Sequence, residues 1–428
     1  MTVGTAVGRP WDRASLVGRT VAEVRGVRLV DGSLADITIL DATIAGVRPH
    51  ERDAPASARG SGESLDASGW RFVPAATESH AHLDKALSGP RVDPGAGNDL
   101  VTAIAQWRDI VADVDAADLR DRALTAVGRY LAHGITTIRT HVDVLATGGD
   151  PLRGVDTLVT LRDELAGTVT IQVCLLAGHL SPTPVIREAV ARGIDVMGGC
   201  PHLADDPAAE TGRLLDLAEE YALPVDLHTD EQTTTDHVDL VDLAEQVIAR
   251  GMQQQVTASH CVRLGMLDGA RLAEVLDLTK RAGIGIVTLP ITNLYLQGRD
   301  ATVVPRGLPP LRAILDAGIP LAAGADNLRD PFNPVGRADP FETTSLLVTA
   351  GHLRPREALA AVTSGGREVL GLPPVGAAPG CAADFLLVPD VPLDDVLAGG
   401  QPARVVVHGG RVVADTRVST ALNLPVAK

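Results

Sequence analysis

The sequence predicts an α/β chain: a (β/α)8 TIM barrel carrying a small β-sandwich domain that both chain ends build together. Three observations carry this expectation. Strand-like and helical segments alternate eight times over about 300 residues. Both ends are rich in short strand signals separated by Gly and Asp. Histidines and carboxylates recur at the ends of the central strand-like segments, which is where such barrels carry their chemistry.

Taken in order, residues 1–73 supply the first part of the β-sandwich, 74–372 the barrel and 373–428 the second part. The opening strand signals are Val21-Ala22-Glu23-Val24, Val27-Arg28-Leu29-Val30, Ile37-Thr38-Ile39-Leu40 and Ile44-Ala45-Gly46-Val47. An Ala/Ser/Gly/Pro-rich stretch between His50 and Ser68 reads as a mobile surface loop. The eight barrel strands are expected at 72–74, 136–140, 169–174, 194–197, 224–227, 255–258, 284–288 and 319–323. Amphipathic helical patterns lie between them, for example over 208–221, 238–250 and 312–317. A doubly wound open sheet would need a glycine-rich phosphate turn after its first strand, and Ser79-His80-Ala81-His82 is not one. The C-terminal runs Ala383-Asp384-Phe385-Leu386-Leu387-Val388 and Val405-Val406-Val407 complete the terminal β domain.

Composition narrows the function classes. The 428 residues carry a formal charge of −16 with a pI near 5.1. That balance argues against nucleic-acid and anionic-membrane partners, which need a basic face. No apolar run reaches the length of a membrane span, and Met1 to Thr20 does not read as a signal peptide. Cys174, Cys200, Cys261 and Cys381 are scattered with no C-x-x-C pair, so reduced thiols and a cytoplasmic location are expected. The expected partner is a small molecule, and the expected assembly a homo-oligomer.

The chemistry is concentrated at strand ends. His80 and His82 are two residues apart, so on a strand they face one point, and two convergent imidazoles start a transition-metal site. Strand two ends in His141 and Asp143, strand five in His228 with Asp230 and Glu231, strand six in His260, and strand eight in Asp326. Three imidazoles and one carboxylate (His80, His82, His228, Asp326) suit one divalent ion, Zn2+ or Fe2+, that lowers the pKa of water toward neutrality. Asp326 can bind the ion and take a proton from water. Glu231 is placed to move a proton onto a substrate nitrogen, and His260 to hydrogen-bond the nucleophile or leaving group.

These motifs together resemble the amidohydrolase superfamily, in its cytosine deaminase-like branch. The matching segments are Glu78-Ser79-His80-Ala81-His82-Leu83-Asp84-Lys85, Arg139-Thr140-His141-Val142-Asp143-Val144, His228-Thr229-Asp230-Glu231, Thr257-Ala258-Ser259-His260, Asn293-Leu294-Tyr295-Leu296-Gln297-Gly298-Arg299 and the run from Gly324 to Gly336. The resemblance implies one divalent metal and hydrolytic deamination of a cyclic amidine-like substrate. Binuclear relatives carry a carboxylated lysine on strand four, and Ile194-Asp195-Val196-Met197-Gly198-Gly199 has none. Four departures or open positions concern the substrate. In cytosine deaminases a glutamine after strand three holds the pyrimidine edge; Leu176 stands at or beside its place, Asn327 where that family has an aspartate, and Phe332 where it has a tryptophan. His179 is the next candidate for the base edge. Cytosine itself is therefore not the expected substrate. Alternatives are release of an alkylamine from a substituted triazine or pyrimidine and hydrolysis of a cyclic amide. Cys200 reads as a packed thiol, Lys85 as the partner of Asp84, and His202 as a residue near the pocket.

Overall fold

The computed structural model describes residues 15–51, 62–92, 99–147, 149–252, 254–299, 301–419 and 421. It divides into two compact units. One comprises Met1–Ala75, Leu131–Gly134 and Gly376–Lys428, the other Ala76–Tyr130 and Ile135–Val375.

The first unit opens with β1 (Val21–Arg28), β2 (Leu34–Leu40), β3 (Thr43–Pro49), β4 (Glu63–Asp66) and β5 (Trp70–Pro74). Two of the expected strands are one. Val21 to Arg28 runs continuously because Gly26, at φ +67°, forms a bulge between Val24 and Val27 and lets pairing with β2 resume. Part of the expected loop is also a strand, since β4 pairs parallel to β1, while 52–61 lie outside the described residues.

The second unit carries the parallel strands. β6 (Ala76–Ala81), β7 (Ile135–Asp143) and β8 (Thr170–Leu176) form a three-stranded sheet. β9 (Met197–Gly199), β10 (Val225–Thr229), β11 (Val256–His260), β12 (Gly285–Thr288) and β13 (Leu321–Ala323) form a five-stranded one. Helices alternate with them, including Pro207–Tyr221, Asp239–Arg250 and Leu311–Asp316, where periodicity places them. All residues of β10 and β11 are buried, as expected of parallel strands covered on both faces.

Two expected strands move. The segment 72–74 belongs to β5, whose partner is β14 (Phe385–Pro389), with Phe72 paired to Leu387 in register. The first parallel strand is β6, because the chain leaves the terminal sheet at Ala75, whose N–H donates to the Asp384 carbonyl. The fourth starts at Met197, three residues later than expected. Ahead of it the Asp195 carboxylate is held by Arg162 and accepts the Val173 N–H, so ladder pairing begins only at Met197 opposite Val225.

The chain ends on β14, β15 (Arg404–His408) and β16 (Arg411–Thr416). The terminal strands join in one eight-stranded sheet ordered β16-β15-β14-β5-β1-β2-β3, with β4 against β1. The two chain ends therefore pair, as the sequence suggests. Its core includes Val24, Ile37, Phe72, Phe385, Leu387 and Val405.

Candidate metal centre

The C-terminal ends of the parallel strands converge on a buried cluster of histidines. His80 lies on β6 and His82 one residue past its end. The Nε2 of His82 is 3.2 Å from Asp326 Oδ1, and that of His80 is 3.8 Å from the same oxygen. The two Nε2 atoms of His80 and His228 face each other at 3.2 Å. Among the described residues, three overlapping groups have donor atoms within 4.8 Å of one another: His80, His82 and Asp326; His80, His228 and His260; and His80, His141 and Asp226.

This set fits a divalent cation. Asp326 Oδ1 is buried and has no hydrogen-bond partner among the described residues, an expensive condition for a carboxylate oxygen. Burial, then neighbouring charged groups, holds the pKa values of His80, His82 and His228 well below the ordinary imidazole range. Neutral imidazole is the form that ligates.

The backbone aims these groups. The Asp326 N–H donates to the His80 carbonyl at 3.0 Å, tying the segment after β13 to β6. Glu78 Oε1 accepts the Ala325 N–H at 2.8 Å. Gly324 leaves room for that carboxylate, because a Cβ there would lie 2.2 Å from it. His260 ends its strand, and Asp230 and Asp326 follow just beyond theirs, at φ values of 75°, 53° and 68°. The left-handed region costs a non-glycine residue about 1–3 kcal/mol, and such strain gathers at functional sites. It also breaks strand alternation, so consecutive Ser259 and His260 both turn toward His80.

Glu231 stands beside this cluster. It is 5 % exposed, and burial pushes its carboxyl up to about 8, against a smaller downward pull from Lys85. The acid form is thus available at neutral pH. Its Oε1 is 3.6 Å from His260 Nδ1 and its Oε2 3.8 Å from His202 Nε2. His202 is buried, with Nδ1 donating to the His228 carbonyl at 3.1 Å. Asn293 Nδ2 lies 3.0 Å from His260 Nδ1. The Lys85 ammonium pairs more closely with Asp143, at 2.9 Å, than with Asp84, at 3.6 Å. It also lies 3.2 Å from His82 Nδ1.

The amidohydrolase family model matches residues 109–414. The chain belongs to the amidohydrolase family. A pterin deaminase of Rhizobium rhizogenes is 32% identical to this amidohydrolase over 415 residues, 93% of the chain and 91% of the relative. The structure of 5-methylcytosine deaminase from Klebsiella pneumoniae superposes with a TM-score of 0.83 at 27% identity, covering 94% of this chain and 100% of that one. N-isopropylammelide isopropylaminohydrolase from Burkholderia multivorans gives 0.79 at 29% identity, with 93% and 99% covered.

The positions expected to meet substrate are not gathered equally in this amidohydrolase. Leu176 is buried at the end of β8, whereas His179 is exposed in the turn beyond it. Asn327 is committed to other side chains, donating to Asp330 at 2.8 Å and accepting from Thr292 at 3.0 Å. Phe332 packs against Trp107, Val111 and Leu145. Trp107 in turn donates to Asp143 at 2.7 Å. Sequence reasoning gave no role to Trp107, Glu78, Asn293, Ser259 or Asp226. Asp226 had a signal, since it precedes His228 by two residues on the same face of a strand. Trp107 had none, because it reaches Asp143 from a separate helix, Leu100–Val111.

Proposed function

We propose that this amidohydrolase is a metal-dependent hydrolytic deaminase of a small nitrogen heterocycle, and that its substrate is a fused 2-amino-4-oxo ring of the pterin class. The observation that carries the reaction is the buried donors of His80, His82, His228 and Asp326, which share His80 between two groups, with the buried Glu231 carboxyl, pushed up to about 8, beside them. The identity to a pterin deaminase along nearly the whole chain supports the ring class.

A bound Zn2+ or Fe2+ would supply Lewis acidity that makes water a nucleophile near neutral pH. His80, His82, His228 and Asp326 would hold it. Water adds to the ring carbon that bears the amino group, and Asp326 receives a proton from it. Glu231 delivers a proton to the ring nitrogen beside that carbon, and His260 hydrogen-bonds the oxygen. The C–N bond then breaks as Asp326 passes its proton to the amine nitrogen, ammonia leaves, and the added hydroxyl returns a proton to Glu231 as the ring carbonyl forms.

A single ion is the supported stoichiometry. Asp226, the carboxylate of the third donor group, already pairs with Arg139 at 2.9 Å. On β9, a Cβ at Gly198 would lie 2.6 Å from Cys174 Sγ and one at Gly199 2.6 Å from Leu214 Cδ1, so neither position has room for a ligand side chain. We also infer that the two parallel sheets are arcs of one closed (β/α)8 barrel. Isolated parallel bridges support closure: Ala81 with Asp326, Cys174 with Val196 and Ala177 with Gly199. The terminal sheet is read as the β-sandwich, with domains over 1–73, 74–372 and 373–428. A cytoplasmic compartment is supported by four free cysteines, and a homo-oligomer is tested by light scattering. No helix among the described residues is long and apolar enough to cross a membrane.

The test is ammonia release by purified metal-loaded protein over pterins, cytosine, 5-methylcytosine, aminotriazines and cyclic guanidines. A pterin-class ring should reach kcat/KM of ~10⁴ M⁻¹s⁻¹ or more. Failure on every amino-substituted ring would sink the deaminase reading. The likeness to an isopropylaminohydrolase favours one second reading, alkylamine release, for which N-isopropylammelide is the probe.

Cytosine should be a poor substrate. Leu176 can neither donate nor accept a hydrogen bond, and a polar edge buried against it loses about 1–3 kcal/mol. Leu176→Gln should raise kcat/KM for cytosine, and efficient turnover of cytosine by the unaltered enzyme would remove Leu176 from the specificity argument.

A further inference from the structure

The strand register sets an unassigned trio behind His80. Ser259 stands opposite His228 across the β10–β11 ladder, and Asp226 shares a face of β10 with His228. Ser259 Oγ donates to Asp226 Oδ1 at 2.7 Å and lies 3.0 Å from His80 Nδ1. Ser259, Asp226 and His80 are fully buried.

We propose that Ser259 and Asp226 form a relay that fixes the tautomer of His80, making Ser259 a positioning residue for metal capture. A serine hydroxyl has one proton. Here it is given to a carboxylate, which only accepts. Arg139 Nη1 donates to the other Asp226 oxygen at 2.9 Å, so both oxygens of that carboxylate accept. Toward His80, Ser259 therefore offers only lone pairs, so Nδ1 carries the proton and donates it. Nε2 is left with its lone pair pointing to the place where His228 Nε2 and Asp326 Oδ1 converge. The opposite tautomer would drive an N–H into that place. The His141 ring stacks on His80 with centroids 3.8 Å apart and planes 24° from parallel, which holds the imidazole against rotation. Partners on the far nitrogen of a ligating histidine orient it and raise its basicity.

The relay rests on the metal-site reading above, but its test needs no turnover. Chelator-competition titration with Zn2+ on the full chain should give Ser259→Ala a Kd raised about 10–100-fold. Ser259→Thr, which keeps the hydroxyl, should stay near the parent value. The visible absorption bands of the Co2+-loaded protein should shift in the alanine variant alone. If Ser259→Ala does not fold, ¹⁵N-histidine NMR of the parent protein decides, and His80 should carry its proton on Nδ1 with or without metal. An unchanged Zn2+ affinity in folded Ser259→Ala, or a proton on His80 Nε2, overturns the relay. A parent protein that binds no Zn2+ or Fe2+ counts against the metal-site reading, and the NMR result still decides the relay.

Discussion

Glu231→Gln is expected to lower kcat by ~10²-fold or more with metal content unchanged. Glutamine keeps the shape of the side chain but carries no transferable proton. The residue lies off the ligand set, 3.6 Å from His260, so the ion has no reason to leave. Its acid form is held by desolvation in a pocket where its neighbours His260 and His202 are imidazoles that burial keeps toward the neutral form. Stopped-assay rates with elemental analysis on the same preparation check both halves. Near-normal turnover would take Glu231 out of the mechanism.

His82→Ala and Asp326→Ala should each abolish stoichiometric metal, from about one ion per chain to a trace, and activity with it. Asp326 has the larger expected effect. Its Oδ1 faces both His82 and His80, and its backbone N–H is the tie to β6, so the alanine variant loses the charge while the tie remains. The imidazoles left behind cannot neutralise a dication. Elemental analysis and a thermal melt separate loss of metal from loss of fold. A parent protein with two ions per chain would contradict the reading of Arg139 as the partner that occupies Asp226.

Much of the parallel unit was legible in the sequence because its signal is local. Strands such as β8 and β12 are short, largely apolar runs because they are buried among their neighbours. His80, His82, His228 and Asp326 stood out because imidazoles and carboxylates at strand ends have few structural uses. What escaped was set by register and by turns. Ser259 acquires meaning only when β11 is laid beside β10 and His228 falls opposite it. The terminal sheet captured 70–74, and the first parallel strand moved to Ala76–Ala81, because pairing with Phe385–Pro389 outweighs any preference written into Phe72-Val73-Pro74 itself. His179 looked equivalent to its neighbours along the chain, yet the turn after β8 carries it to the surface.

The tie between Glu78 and Ala325 joins groups 247 positions apart in the chain. Closing so long a loop is entropically demanding, and a clip that closes it returns most when the loop is long. An ion gripped by His80, His82 and Asp326 would span that same gap. It would then act as a clasp as well as a reagent: chain ordered between the first and last parallel strands would be released as one piece whenever the clasp opened, and catalytic competence and mechanical integrity would be lost together.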